Sequence, residues 1–135
     1  MFGSPAPGLT AYLTDCVFED LVLKSRLPVL VEFSGVHCAM CQEVNPVLAA
    51  LARNLQDRLR VAVIEKGDGP DSFRQYKVPG VPTFILFNQG GELSRIPGVS
   101  STDPEVFRKF LKEWAEQELQ RAEQQGFPAL KGGEW

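Results

Sequence analysis

The sequence has few cysteines, one histidine and no long apolar run. It has three cysteines, whereas a small secreted protein that is stabilised by disulfides usually has an even number. The longest apolar candidates, such as residues 84–87, have the length of a strand, so we expect no membrane span. The first residues lack both the basic patch and the apolar stretch of a secretory signal. We therefore expect a cytoplasmic protein, unless a leader or an anchor has been removed.

An excess of charge of one sign is also missing. The 14 Lys and Arg residues against 17 Asp and Glu give a net charge of −3, and the basic residues are scattered. We therefore expect no nucleic acid and no membrane surface as partner. The length of 135 residues and the 44% apolar content are typical of one globular domain. We divide the chain into a flexible arm (1–8), a domain (9–114) and a helical extension with a tail (115–135), and we expect a monomer.

The hydrophobic pattern predicts alternating strands and helices. Strands are predicted at residues 9–13, 29–33, 61–64, 82–87 and 92–96. Helices are predicted to begin at Thr14 or Asp15, at Cys38, at Asp71 and at a capping box over residues 102–105, with a kink at Pro46. We assign Phe107, Phe110, Leu111 and Trp114 to the core, and the apolar stripe of the last helix fades after Trp114. The fold class is α/β: a mixed sheet of four to five strands flanked by helices on both faces, with a C-terminal helical extension.

Cys38 and Cys41 stand three positions apart at the start of a predicted helix that follows a buried strand. One helical turn brings their sulfurs close enough to bond. The helix N-terminus favours a thiolate at Cys38, whereas Cys41 lies deeper, so we expect Cys38 to attack and Cys41 to resolve. Two alternatives stay open: a pair of inert core thiols, and a Cys₃His zinc site that adds Cys16 and His37.

Three other residues carry candidate chemistry. Glu32 interrupts an apolar strand, where burial should raise the pKa of its carboxyl group toward neutrality. With such a pKa, Glu32 could act as a proton shuttle. The alternative is an ion pair between Glu32 and an Arg or Lys. His37 borders Cys38 and as imidazolium would stabilise the thiolate and make the pair more oxidising; the alternative is an exposed residue without effect. Cys16 is interpreted as an ordinary helix residue, with an intermolecular disulfide or a regulatory thiol as alternatives.

Together these motifs resemble the thioredoxin family over roughly residues 10–114. The resemblance is carried by strand 29–33, the motif Cys38-Ala39-Met40-Cys41, Pro46, the segment Val81-Pro82-Thr83, Gly90 and Gly98. It implies a thioredoxin fold and a cis peptide before Pro82, with that turn packed against the cysteine pair. It also implies a substrate groove, for which the candidates are Ala39, Met40, Val81, Pro82 and Gly98. Glu32 would occupy the site of the family's buried acid.

The chain departs from the family pattern around the motif. The common Trp-Cys-Gly-Pro-Cys is replaced by His37-Cys38-Ala39-Met40-Cys41, and Ser34 stands where a second Trp is usual. Val63 matches the position of the family's buried Lys. Because Glu32 then lacks its usual charge partner, we expect its pKa to be higher still.

The resemblance implies a thiol–disulfide oxidoreductase that exchanges disulfides with protein clients through a mixed disulfide at Cys38, resolved by Cys41. It implies no cofactor and no metal, only an electron donor, which would be a thioredoxin reductase or another dithiol donor. Two alternatives from other classes are a non-catalytic binding or assembly-chaperone module with the same fold, and a zinc-binding adaptor.

Overall fold

Five short apolar segments form one mixed β-sheet in the computed structural model, which describes residues 6–125. The strands are β1 (Ala11–Leu13), β2 (Val29–Ser34), β3 (Arg60–Glu65), β4 (Thr83–Asn88) and β5 (Gly91–Ile96). Their order across the sheet is β1-β3-β2-β4-β5. Strands β1 and β2 run parallel to β3, whereas β4 is antiparallel to both β2 and β5. This architecture confirms the predicted fold class.

The helices are short except for the last one. They are α1 (Asp15–Phe18), continued by a π-helical turn (Glu19–Leu23), α2 (Ala39–Glu43), α3 (Asn45–Asn54), α4 (Pro70–Gln75) and α5 (Pro104–Gln124). The chain between α2 and α3 breaks at Val44, two residues before Pro46, as the predicted kink requires. None of the described helices is long and apolar enough to cross a membrane.

Two apolar clusters cover the two faces of the sheet. One cluster joins the sheet to α2, α3 and α5, and the other joins it to α1, the π-helical turn and α4. Alternation along β2 sends Leu30 to the first cluster and Val31 and Phe33 to the second. By the same alternation, Glu32 lies on the face that carries α2, which is the helix of the cysteine motif.

Helix α1 begins as predicted, whereas the predicted capping box of α5 needs correction. The N-cap of α1 is Thr14, which makes no side-chain capping bond. The Asp15 carboxylate instead accepts hydrogen bonds from the backbone N–H groups of Asp71 and Ser72, at 2.9 Å each, and so caps α4. In α5 the capping side chain is Asp103 rather than Thr102, since its Oδ1 accepts from the N–H of Glu105 at 3.0 Å.

The prediction that the apolar stripe of α5 fades after Trp114 is wrong. Ala115, Leu119 and Ala122 are buried, and α5 crosses the predicted boundary at residue 114 without a break. An ion pair of 2.6 Å between Arg58 and Glu123 ties the end of this helix to the segment before β3. The assignment of Phe110 to the core is also wrong, because 41% of it is exposed. Residues 1–5 of the predicted arm and 126–135 of the predicted tail lie outside the described residues.

Candidate active site

Cys38 and Cys41 form a disulfide at the start of α2, where their Cα atoms are 5.3 Å apart. Cys38 is the N-cap residue, and its Sγ accepts a hydrogen bond of 3.1 Å from the backbone N–H of Cys41. This N–H is one of those that a helix leaves unpaired at its first turn, so it favours negative charge on the Cys38 sulfur. Cys38 is half-buried, whereas Cys41 is only 4% exposed. Of the two cysteines, Cys38 is therefore the one that another molecule can reach.

Glu32 lies behind the disulfide and is 1% exposed. Its Oε2 has no hydrogen-bond partner among the described residues. Across the sheet it is flanked by Val63 on β3 and Phe84 on β4, so neither strand neighbour supplies the Arg or Lys of the alternative ion pair. Burial raises the pKa of Glu32 to about 8, and the nearby carboxylate of Glu65 adds to the increase. The predicted direction of the pKa shift is therefore confirmed.

A cavity of about 210 Å³ connects these groups. Its lining includes Glu32, Cys41 and Glu65, together with Tyr12, Ser34, Gly35, Val36, Gln42, Asn45 and Val63. The buried acid and the buried cysteine thus share one space, and none of the described side chains that line it is a Lys or an Arg.

The loop before β4 lies next to the loop that carries the cysteine motif. The Val81–Pro82 peptide bond is cis, as the resemblance implies. A Cβ atom built on Gly35 would lie 3.2 Å from Cγ2 of Val81, so the cis-proline loop packs against the loop that leads from β2 into the cysteine motif. Thr83 holds the turn by donating its hydroxyl to the carbonyl of Gly80 at 2.8 Å. Gly98 has a φ of +153°, a backbone conformation that residues other than glycine rarely adopt.

The residues around the disulfide differ in exposure. His37 and Ala39 are exposed, whereas Met40 is half-buried and packs against the apolar cluster beneath α2 and α3. Val81 is exposed and the neighbouring Pro82 is buried. The predicted roles of these side chains toward a client stay predictions.

Sequence reasoning missed Glu65. Period-2 alternation puts Glu65 on the same face of β3 as Val63, two residues before it. The sequence pattern does not give the register between β3 and β2, and this register decides that Glu65 lies near Glu32.

The zinc alternative requires Cys16 to approach the cysteine pair. Cys16 is a free, exposed thiol on α1, whose neighbours Val17 and Phe18 pack on the face of the sheet opposite α2. Within residues 6–125, no three His, Cys, Asp or Glu side chains come together as a metal site. The geometry therefore gives no support to a Cys₃His centre.

Comparison with known proteins agrees with this geometry. The family model described as Thioredoxin matches residues 9–113. The chain is 37% identical over 97 residues to a thioredoxin of Acidithiobacillus ferridurans, covering 71% of this chain and 90% of that protein. It is 31% identical to thioredoxin 1 of Synechococcus elongatus, covering 67% of this chain and 84% of that protein. A bifunctional thioredoxin reductase/thioredoxin of Mycobacterium leprae is 38% identical, over 67% of this chain and 20% of that protein.

The paired cysteines and these similarities define a thiol–disulfide oxidoreductase. The chain belongs to the thioredoxin family.

Proposed function

We propose that the chain exchanges disulfides with protein clients by attack of Cys38 and resolution by Cys41. The thiolate of Cys38 attacks one sulfur of a client disulfide, a Cys38–client disulfide forms, and the other client sulfur leaves as a thiolate. The unequal exposure of the two cysteines supports this order, since the sulfur that meets the client is the accessible one.

Glu32 serves the second step as the base. Its carboxylate accepts the proton of Cys41, and the Cys41 thiolate then attacks Sγ of Cys38. The Cys38–Cys41 disulfide forms, the second client thiolate leaves, and two electrons have passed to the client. The observation that carries this proposal is the single cavity lined by both Glu32 and Cys41.

A dithiol donor returns the pair to its reduced form. Members of the thioredoxin family act on protein disulfides and are reduced by thioredoxin reductase, and the name of the Mycobacterium leprae relative joins the two activities. A thioredoxin reductase is therefore the first donor to test. Around the motif, the exposed Ala39 and Val81, the half-buried Met40 and Gly98, and the buried Pro82 form the proposed client groove.

His37 is proposed to modulate the reduction potential. An imidazolium next to the Cys38 thiolate stabilises the reduced form and raises the potential, by roughly 20–50 mV relative to about −270 mV for thioredoxin itself. His37→Ala should therefore be more reducing than the wild type. Equilibration with glutathione redox buffers at neutral pH measures both potentials. Equal potentials would leave His37 without a role.

Turnover by cysteine variants tests the proposed function. With dithiothreitol as donor, the wild type should accelerate reduction of a model protein disulfide, and Cys38→Ser should abolish the acceleration. The matched control is Cys16→Ser, which removes an exposed thiol outside the site and should keep the wild-type rate. Retention of turnover by Cys38→Ser would contradict the proposal.

A further inference from the structure

Glu65 faces the same cavity as Glu32 from the neighbouring strand. In the parallel ladder, Glu32 pairs with Val63 and Ser34 pairs with Glu65, so the two glutamates are diagonal neighbours on one face of the sheet. With strands about 4.8 Å apart and a rise of about 3.3 Å per residue, such diagonal positions are separated by about 8 Å, within reach of long side chains. Both glutamates line the cavity. A second acid therefore stands near Glu32 in the space that reaches Cys41.

Among residues 6–125, no Lys, Arg or His side chain lines this cavity beside the two acids. The titratable groups that face Glu32 are Tyr12 from β1, Glu65 from β3 and Cys41 from α2. The remaining lining residues are uncharged, and Phe84 covers Glu32 from β4. Glu65 is half-buried, so water screens its charge less than that of a fully exposed carboxylate. A negative charge at this place disfavours a second one at Glu32.

We propose that Glu65 is a positioning residue, whose carboxylate across the shared cavity opposes ionisation of the Glu32 carboxyl group and moves that ionisation to higher pH. This inference deepens the proposed function and rests on it for its consequence at Cys41. Glu32 accepts the Cys41 proton only as a carboxylate, so Glu65 moves the resolving step toward alkaline pH. The raised pKa of Glu32, to which burial contributes most and Glu65 next, is consistent with this role.

Charge variants at position 65 test the inference. We expect Glu65→Gln to lower the pH midpoint of Glu32 ionisation by about 0.5–1 unit, and Glu65→Lys to lower it further. The midpoint is measured in the oxidised full chain by NMR of the glutamate side-chain carboxyl carbons, with Glu32→Gln to assign the signal. In the reduced chain, the pH profile of mixed-disulfide resolution should move in the same direction by a similar amount.

The matched control is Asp68→Asn. It removes one carboxylate from the exposed turn after β3, and Asp68 does not line the cavity. We expect the Glu32 midpoint of this variant to stay at the wild-type value. Equal Glu32 midpoints for Glu65→Gln and Asp68→Asn would overturn the inference, because Glu65 would then have no more effect on Glu32 than a carboxylate outside the cavity.

The two measurements separate this inference from the proposed function. The NMR midpoint needs no turnover, so a lowered midpoint in Glu65→Gln supports the role of Glu65 even in a protein that fails to exchange disulfides. Normal turnover with an unmoved midpoint overturns the role of Glu65 and leaves the proposed function intact.

Discussion

At the scale of single residues, Glu32 is the most informative position in the chain. Its side chain is buried, Val63 and Phe84 stand opposite it on the neighbouring strands, and it lines the cavity shared with Cys41. A buried acid whose oxygen has no partner among residues 6–125 destabilises the protein, and in this place it is also the proposed base for a buried thiol. The residue therefore links the pH dependence of stability to the chemistry of the site.

Glu32→Gln should remove a pH-dependent loss of stability. The pKa of Glu32 is about 8 in the folded protein against an ordinary value of 4.5. Below the ordinary value both states hold the proton, and as pH rises toward 8 only the unfolded state releases it, so folding stability falls over this window. Each pKa unit corresponds to about 1.4 kcal/mol. The variant should match the wild type near pH 4 and exceed it by a few kcal/mol near pH 8.5.

Urea unfolding of both oxidised proteins at the two pH values measures this difference. The same variant should resolve the mixed disulfide more slowly at neutral pH, while the first attack by Cys38 keeps its rate. Lower stability of Glu32→Gln at both pH values would contradict the account and indicate a structural role for the carboxylate.

The sequence alone indicated Glu32, because a carboxylate inside the run Val29-Leu30-Val31-Glu32-Phe33 is chemically conspicuous. It did not indicate Glu65, since a glutamate at the end of a strand is ordinary when the register with the next strand is unknown. Only the pairing of Ser34 with Glu65 brings the two acids to one cavity. Long-range register is thus the information that the linear pattern lacked.

At the scale of elements, the strands were predictable and the last helix was only partly so. The predicted strands end within one or two residues of the observed ones, and the clearest of them, β2 and β4, are β-branched and aromatic runs that follow a Pro. The second half of α5 has few large apolar residues. Its buried Ala115 and Ala122 add little to the hydrophobic pattern, because alanine is common on every face of a helix. The π-helical turn at Glu19–Leu23 leaves no signature in side-chain chemistry.

The second half of α5 should contribute to the stability of the whole fold. Leu119 is fully buried in the cluster beneath α3 and α5, so Leu119→Ala should reduce the free energy of unfolding by about 3 kcal/mol. Val106→Ala is the control on the same helix, because Val106 is 54% exposed and should change stability by less than about 0.5 kcal/mol. Denaturant midpoints report both values. Equal effects would mean that α5 beyond residue 114 is not part of the core.

At the scale of the whole molecule, sheet topology assembles the site. Strands β2 and β4 are antiparallel neighbours, so the end of β2 meets the start of β4, with Phe33 opposite Thr83. The cysteine motif follows β2 and the cis-proline precedes β4, and therefore the two loops meet at one edge of the sheet. The motif residues were recognisable in the sequence, whereas their contact through Gly35 and Val81 required the fold.

The central claim is that Cys38 attacks and Cys41 resolves, and trapping of the intermediate tests it most directly. Reduced Cys41→Ser is mixed with a model protein that carries an accessible disulfide, and the products are analysed by intact mass and peptide mapping. Without the resolving thiol, the Cys38–client disulfide should persist, whereas wild-type protein should show none after the same time. A Cys16→Ser, Cys41→Ser double variant should give the same adduct. Absence of an adduct at Cys38, or an adduct carried by Cys16 instead, would contradict the account.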